Sequence, residues 1–251
     1  MKQIRHILAA LAATASLTVV GTAANANLIT AAGPNPDTIT IDASCTNITG
    51  CNGGTPSSTV SAEAVLSNFV WSSGNTTLTF QVKLTNTTPQ GSYTTAQWNA
   101  IDVTDFGFNT SPQGTASGGD SQFSIYNDAT LPGFNKVDVC ASSGSSCSGG
   151  ANNGLFPNQI DTFNIAISGL SGSVDLGSST GIGDETYDFK IAGLPGNPGS
   201  VEFSGTGVPG LSCGTPPCGK SAVPEPASLA VLGTALVAFV GFAATRRRWW
   251  I

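Results

Sequence analysis

Histidine is all but missing from this chain: the only one, His6, stands among the first residues, and between Asn27 and Val223 there is no arginine either. Without an imidazole that long middle segment has no residue of the usual kind for general base work near neutral pH, and no nitrogen ligand for zinc. Without arginine, and with only Lys83, Lys136, Lys190 and Lys220 as cations, it has no basic patch to neutralise phosphates, which argues against nucleic acid as a partner. Fourteen carboxylates face those four lysines, for a formal net charge of −10 over residues 27–223. No C-x2-C pair occurs, and no stretch between Asn27 and Val223 shows a helical period of apolar residues. Gly210-Leu211-Ser212-Cys213-Gly214 has the spacing of a nucleophile elbow, but two prolines follow it where the helix should begin, and there is no histidine partner.

Long apolar runs are confined to the two ends. Lys2 and Arg5 precede an apolar run from Ile7 to Val20 that is short for a bilayer, and Ala24-Asn25-Ala26 supplies a small-residue cleavage pattern. This is the layout of a secretory signal peptide over residues 1–26. Signal peptidase is expected to cut after Ala26, with Ala24 as the alternative. At the other end, Ala227 to Thr245 is uncharged over nineteen residues, and as a helix it would span about 28 Å, close to the hydrocarbon thickness of a bilayer. Arg246, Arg247 and Arg248 follow at once and are expected on the cytoplasmic side. A single carboxy-terminal transmembrane helix is therefore expected, with everything before it across the inner membrane.

Val223-Pro224-Glu225-Pro226-Ala227-Ser228 stands directly before that apolar run. Neither proline can donate a backbone hydrogen bond, so the segment is expected to stay extended. The ordered triple of V-P-E-P-A-S, the apolar run and R-R-R resembles the PEP-CTERM sorting signal of Gram-negative bacteria. The likeness covers about the last 29 residues and departs from the family in continuing to Trp249-Trp250-Ile251 after the arginines. The resemblance implies recognition of Pro224, Glu225 and Pro226 by exosortase, a membrane-embedded cysteine transpeptidase. It further implies a transient anchor in the inner membrane, and release to the cell surface or an exopolysaccharide (biofilm) matrix.

Six cysteines fall in three close pairs: Cys45 and Cys51, Cys140 and Cys147, Cys213 and Cys218. In an oxidising compartment they are expected as disulfides; sequence alone permits fifteen connectivities, of which three local bridges are the simplest. Each local loop would be worth roughly 2–2.5 kcal/mol.

The middle segment alternates with a period of two. Leu78, Phe80, Val82 and Leu84 share one face of a strand over Thr77 to Thr85, and the pattern recurs around Ile101–Val103, Phe123–Ile125, Val137–Val139, Phe163–Ile167, Tyr187–Ile191 and Val201–Phe203. Glycine is present at about twice its usual share, as turns require. We expect an all-β fold over residues 27–207: an antiparallel β-sandwich of eight to ten strands, jelly-roll-like or immunoglobulin-like. Residues 109–119 and 141–154 read as surface loops, residues 208–222 as a stalk, and residues 223–251 as the sorting tail.

Three uses of the mature domain remain open. The first is a non-enzymatic surface or matrix protein without a cofactor. The second is a carbohydrate-binding module, with Tyr93 and Trp98 stacking on sugar. The third is a glycoside hydrolase using paired carboxylates. Asp184, Glu185 and Asp188, and separately Asp102 and Asp105, are weak calcium candidates, the plainer reading being solvated acids at strand ends.

Overall fold

A computed structural model describes residues 27–45, 58–131, 136–147, 153–177, 186–195 and 199–210. They fall within one unit, Asn25–Gly214. The signal peptide, the sorting tail, Cys51, Cys213, Cys218, Asp184 and Glu185 lie outside the described residues. Among the described residues no helix is long and apolar enough to cross a membrane.

Alternation decides which segments become strands. In β4 (Thr77–Asn86) Leu78, Phe80, Val82 and Leu84 are buried and Thr79 and Lys83 exposed, as a strand half covered by a core must be. It forms a hairpin with β3 (Val60–Trp71), closed by a turn in which the Ser72 hydroxyl accepts from the Thr76 and Thr77 amides. The remaining strands are β1 (Leu28–Thr30), β2 (Thr38–Cys45), β5 (Asp102–Phe108), β6 (Thr110–Ser111), β7 (Thr115–Gly119), β8 (Ser124–Thr130), β9 (Lys136–Ser142), β10 (Ile160–Ser168), β11 (Ser173–Leu176), β12 (Thr186–Ala192) and β13 (Ser200–Gly210).

Every strand pairing is antiparallel. The expected all-β antiparallel fold is present, but its two-sheet sandwich is replaced by a closed circuit of ten strands in the order β10-β4-β3-β2-β13-β12-β5-β9-β8-β7. The circuit closes because β7 pairs along β10 on one side and meets β8 on the other. Residues 109–119, expected as a loop, hold β6 and β7. Serine, threonine and glycine hide this strand from an apolar pattern, since only Ala116 of β7 is buried. A second sheet, β1-β11-β6, sends Ile29, Val174 and Leu176 into the same core.

The barrel interior is aromatic on one wall. Phe106 packs on Phe189 with ring centroids 5.1 Å apart, Phe189 on Phe203 at 5.9 Å and Phe80 on Phe108 at 6.3 Å, distances at which ring pairs add to simple burial. Two boundaries move. Val208, Pro209 and Gly210 pair with Thr40, Ile39 and Thr38, so the start of the expected stalk is the end of β13. Residues 95–98, in a region without a helical apolar period, form the one-turn helix α1 (Thr95–Trp98), begun by a Thr94/Gln97 capping box.

Candidate functional site

The chemistry-bearing side chains gather on the outer face of the wall made by β5, β12 and β13. Tyr187, Phe189 and Ile191 of β12 point into the barrel, so Asp188 and Lys190 point the other way. The register sets Lys190 opposite Glu202 on one neighbour and opposite Asp105 on the other, while Asp188 lies opposite Ser204 and Gly107. Asp102 and Asp105 are three residues apart and would face opposite sides of a regular strand. A bulge leaves Thr104 unmatched between the pairs Asp105–Lys190 and Val103–Ile191, and it returns both acids to one face.

That face is covered. Asp102, Asp105, Asp188, Lys190 and Glu202 are all buried, Asp105 completely. The Lys190 ammonium lies 3.9 Å from the Asp105 carboxylate, and the Thr104 hydroxyl donates to Asp105 Oδ2 at 2.8 Å. Asp102 accepts from the Gly154 amide at 2.9 Å. Burial raises the Asp105 carboxyl to about 6, against the lowering effects of Ser142, Thr104 and Lys190. Burial alone raises Asp188 to about 7, and it also raises Asp102 and Glu202. A carboxyl removed from water without a compensating donor or cation keeps its proton.

The expectation of solvated acids at strand ends is therefore corrected for Asp102, Asp105 and Asp188. All three are under cover; Asp105 and Asp188 sit within strands, whereas Asp102 is the first residue of β5. Of the calcium trio Asp184, Glu185 and Asp188 only Asp188 is described, and its neighbours across the strands are Ser204 and Gly107. Among the described residues the one trio close enough for a metal is Asp105, Cys140 and Cys147, and both sulfurs are consumed by the Cys140–Cys147 disulfide. This bridge is one of the three local pairs expected. Cys45 is also disulfide-bonded, to a partner outside the described residues.

Tyr93 and Trp98 do not form a sugar platform. Tyr93 is 4% exposed and its hydroxyl donates to the Ser58 carbonyl. Trp98 ends α1 half-buried against the core, with its indole N–H donating to the Thr88 carbonyl at 3.0 Å. The turn at Gln90 and Gly91 and the capping box fold both rings inward, and the pattern T-x-x-Q at Thr94 was the available signal. Clefts among the described residues include one of about 290 Å³ at Gln113, Thr115, Asn127, Asp128 and Ser168 and one of about 310 Å³ at Asp42, Ser44, Thr186, Ser204 and Thr206. None of the buried acids lines either one.

The described domain is thus a disulfide-stapled, all-β antiparallel barrel in which Asp102, Asp105, Asp188, Lys190 and Glu202 are buried. Its chain carries a sorting signal as well: the family model of the PEP-CTERM protein-sorting motif matches residues 222–248. The carboxy-terminal segment is a PEP-CTERM sorting tail, which implies export and processing by exosortase. No curated protein and no solved structure matches the chain.

Proposed function

We propose that this chain is exported by a signal peptide over residues 1–26, held transiently in the inner membrane by the apolar run before Arg246, Arg247 and Arg248, and processed by exosortase, which recognises Pro224, Glu225 and Pro226. The released domain stays at the cell surface or in the exopolysaccharide matrix as a non-enzymatic component of a biofilm. The match of residues 222–248 to the sorting motif carries this reading. The interior position of the buried acids, away from both clefts, supports a non-enzymatic role, because paired acids must reach a substrate to act on it.

Mass spectrometry of surface material is the direct measurement. The dominant species is expected to lack the residues beyond about Pro226, and a Glu225→Gln variant to accumulate in the inner membrane as unprocessed precursor. Recovery of a dominant surface species ending at Ile251 would overturn the reading.

A further inference from the structure

We propose that Asp105, Cys140 and Cys147 form a binding site for a thiophilic divalent cation of the zinc type when the Cys140–Cys147 disulfide is reduced. Three donor atoms meet under cover. One carboxylate oxygen of Asp105 and the two sulfurs all lie within 4.8 Å of one another, and all three residues are buried.

The strands bring these residues together. Asp105 of β5 lies opposite Ser142 of β9, and Gly107 lies opposite Cys140. Asp105 and Cys140 are therefore diagonal neighbours on one face of a strand pair. Beyond Ser142 the chain folds back over that face. The Ser143 amide donates to the Thr104 carbonyl at 2.9 Å, the Ser142 hydroxyl donates to the Ser146 carbonyl at 3.2 Å, and the Tyr126 hydroxyl donates to the Gly144 carbonyl at 3.0 Å. This return brings Cys147 to Cys140 and to the Asp105 carboxylate.

Asp105 is equipped to be a ligand. Its Oδ2 is taken by the Thr104 hydroxyl and the Lys190 ammonium. Its Oδ1 is buried and makes no hydrogen bond among the described residues; Ser142 is near enough to favour the anion, but spends its one hydroxyl proton on Ser146. A buried carboxylate oxygen without a donor is costly, and a cation bound at Oδ1 satisfies it while leaving the Thr104 and Lys190 contacts intact.

Two thiolates and a carboxylate suit zinc, whose ligands are sulfur, nitrogen and oxygen in a tetrahedron. With Zn–S near 2.3 Å, such sulfurs stand roughly 3.8 Å apart, so the trio needs only the separation that loss of the S–S bond permits. Charge balances too: the divalent cation and Lys190 together offset two thiolates and one carboxylate, and no net charge is left buried. Three protein ligands leave the fourth position to water. A dithiol reductant gives two electrons and two protons to the bridge and is itself oxidised to a disulfide; the two thiols so formed release their protons to solvent as the metal binds. The site belongs to conditions that keep the pair reduced, as in the chain before its bridge forms.

The test uses the full chain, Met1 to Ile251, in detergent micelles, with Cys45, Cys51, Cys213 and Cys218 replaced by serine so that one pair remains. Cobalt(II) is the probe, because thiolate ligation gives it an ultraviolet charge-transfer band, and circular dichroism verifies folding. The phosphine-reduced chain is expected to take up one cobalt ion with this band and to yield it to zinc, and the oxidised chain to take none. Asp105→Asn, nearly identical in shape, is expected to keep the band but to bind roughly tenfold or more weakly. The reduced chain in concentrated urea is expected to bind more weakly as well, since the fold assembles the trio.

No band in the folded reduced chain, equal affinity in Asp105→Asn, or equal affinity in urea overturns the site. Where reduction itself unfolds the chain, cobalt is expected to restore the folded spectrum, and failure to restore it overturns the site equally. Where the four serines prevent folding, the six-cysteine chain is titrated instead, and equal uptake by it and by its Cys140→Ser/Cys147→Ser variant overturns the proposal.

Discussion

Asp188 shows how a single buried side chain sets the pH response of the domain. Its carboxyl, ordinarily near 3.8, is raised to about 7 by burial, so the folded state binds its proton more tightly than the unfolded state. Between about pH 4 and pH 7 the folded state holds the extra proton, and stability falls as pH rises through that window. A rise of this size corresponds to roughly 4 kcal/mol at pH 8. Asp105, raised to about 6, acts in the same direction, as do Asp102 and Glu202. Lys190 opposes the rise at Asp105 and Glu202. The expected outcome in urea unfolding is a higher midpoint at pH 5 than at pH 8. In Asp188→Asn the midpoint at pH 8 rises and the difference shrinks without vanishing, because the other acids remain. An unchanged difference between the two pH values in the variant would refute the assignment. None of this was legible in the sequence. The alternation around Tyr187, Phe189 and Ile191 places Asp188 and Lys190 on the outer face, but nothing in it says that this face is covered, and the bulge at Thr104 that brings Asp102 and Asp105 together leaves no mark in composition.

Among the elements, β7 decides the architecture, and it is held to β8 by a side chain. Backbone pairing between the two is confined to Gly119 and Ser124. Farther along, Asn127 of β8 takes the place of a peptide group: its Oδ1 accepts from the Ala116 amide at 2.5 Å, and its Nδ2 donates to the Ala116 carbonyl at 2.7 Å. Gln113 donates to Asp128 at 2.6 Å, and Lys136 lies 3.0 Å from the same carboxylate oxygen, in exposed positions where such contacts add little. On the β10 side Gly118, at φ +120°, lies so close that a Cβ would stand 2.3 Å from the Asn164 carbonyl oxygen. Asn127→Ala is expected to cost roughly 1–3 kcal/mol and to raise hydrogen exchange at the Ala116 amide while leaving β4 protected. Exchange unchanged at Ala116 would show that the seam is held otherwise. The Cys140–Cys147 bridge staples the end of β9, and replacing both cysteines by alanine is expected to cost roughly 2–2.5 kcal/mol, read as a shift in the thermal midpoint. The long alternating strands were legible because apolar and polar residues mark their two faces. β7 was not, since a strand of Thr, Ala, Ser and Gly carries almost no apolar signal and is specified by its neighbours.

For the molecule as a whole, the place where the barrel ends and the connection to the tail begins is itself testable. Composition drew the boundary at residue 207, where Gly and Pro thicken and the alternation fades. Pairing carries β13 three residues farther, and the Asp37 amide donates to the Gly210 carbonyl at 2.9 Å. Val208 is 63% exposed, so these residues contribute through the ladder with β2 and bury little apolar surface, which is why a reading based on hydrophobic pattern stops short of them. The sorting motif, by contrast, was legible: the family model matches residues 222–248, a segment recognised by the order of its residues along the chain. A domain spanning residues 27–214 is therefore expected to melt within about 2 °C of one spanning residues 27–223, since no described pair is lost. A domain ending at Gly207 loses its pairs to Thr38, Ile39 and Thr40, and at about 1 kcal/mol net for each of a few hydrogen bonds its midpoint is expected to fall by several degrees. Far-ultraviolet circular dichroism melts of the three chains, with Cys213→Ser in the 27–214 chain to avoid an unpaired thiol, decide the matter. Equal midpoints for all three would restore the boundary at residue 207, and a loss already at 214 would extend the folded domain into the segment before the sorting tail.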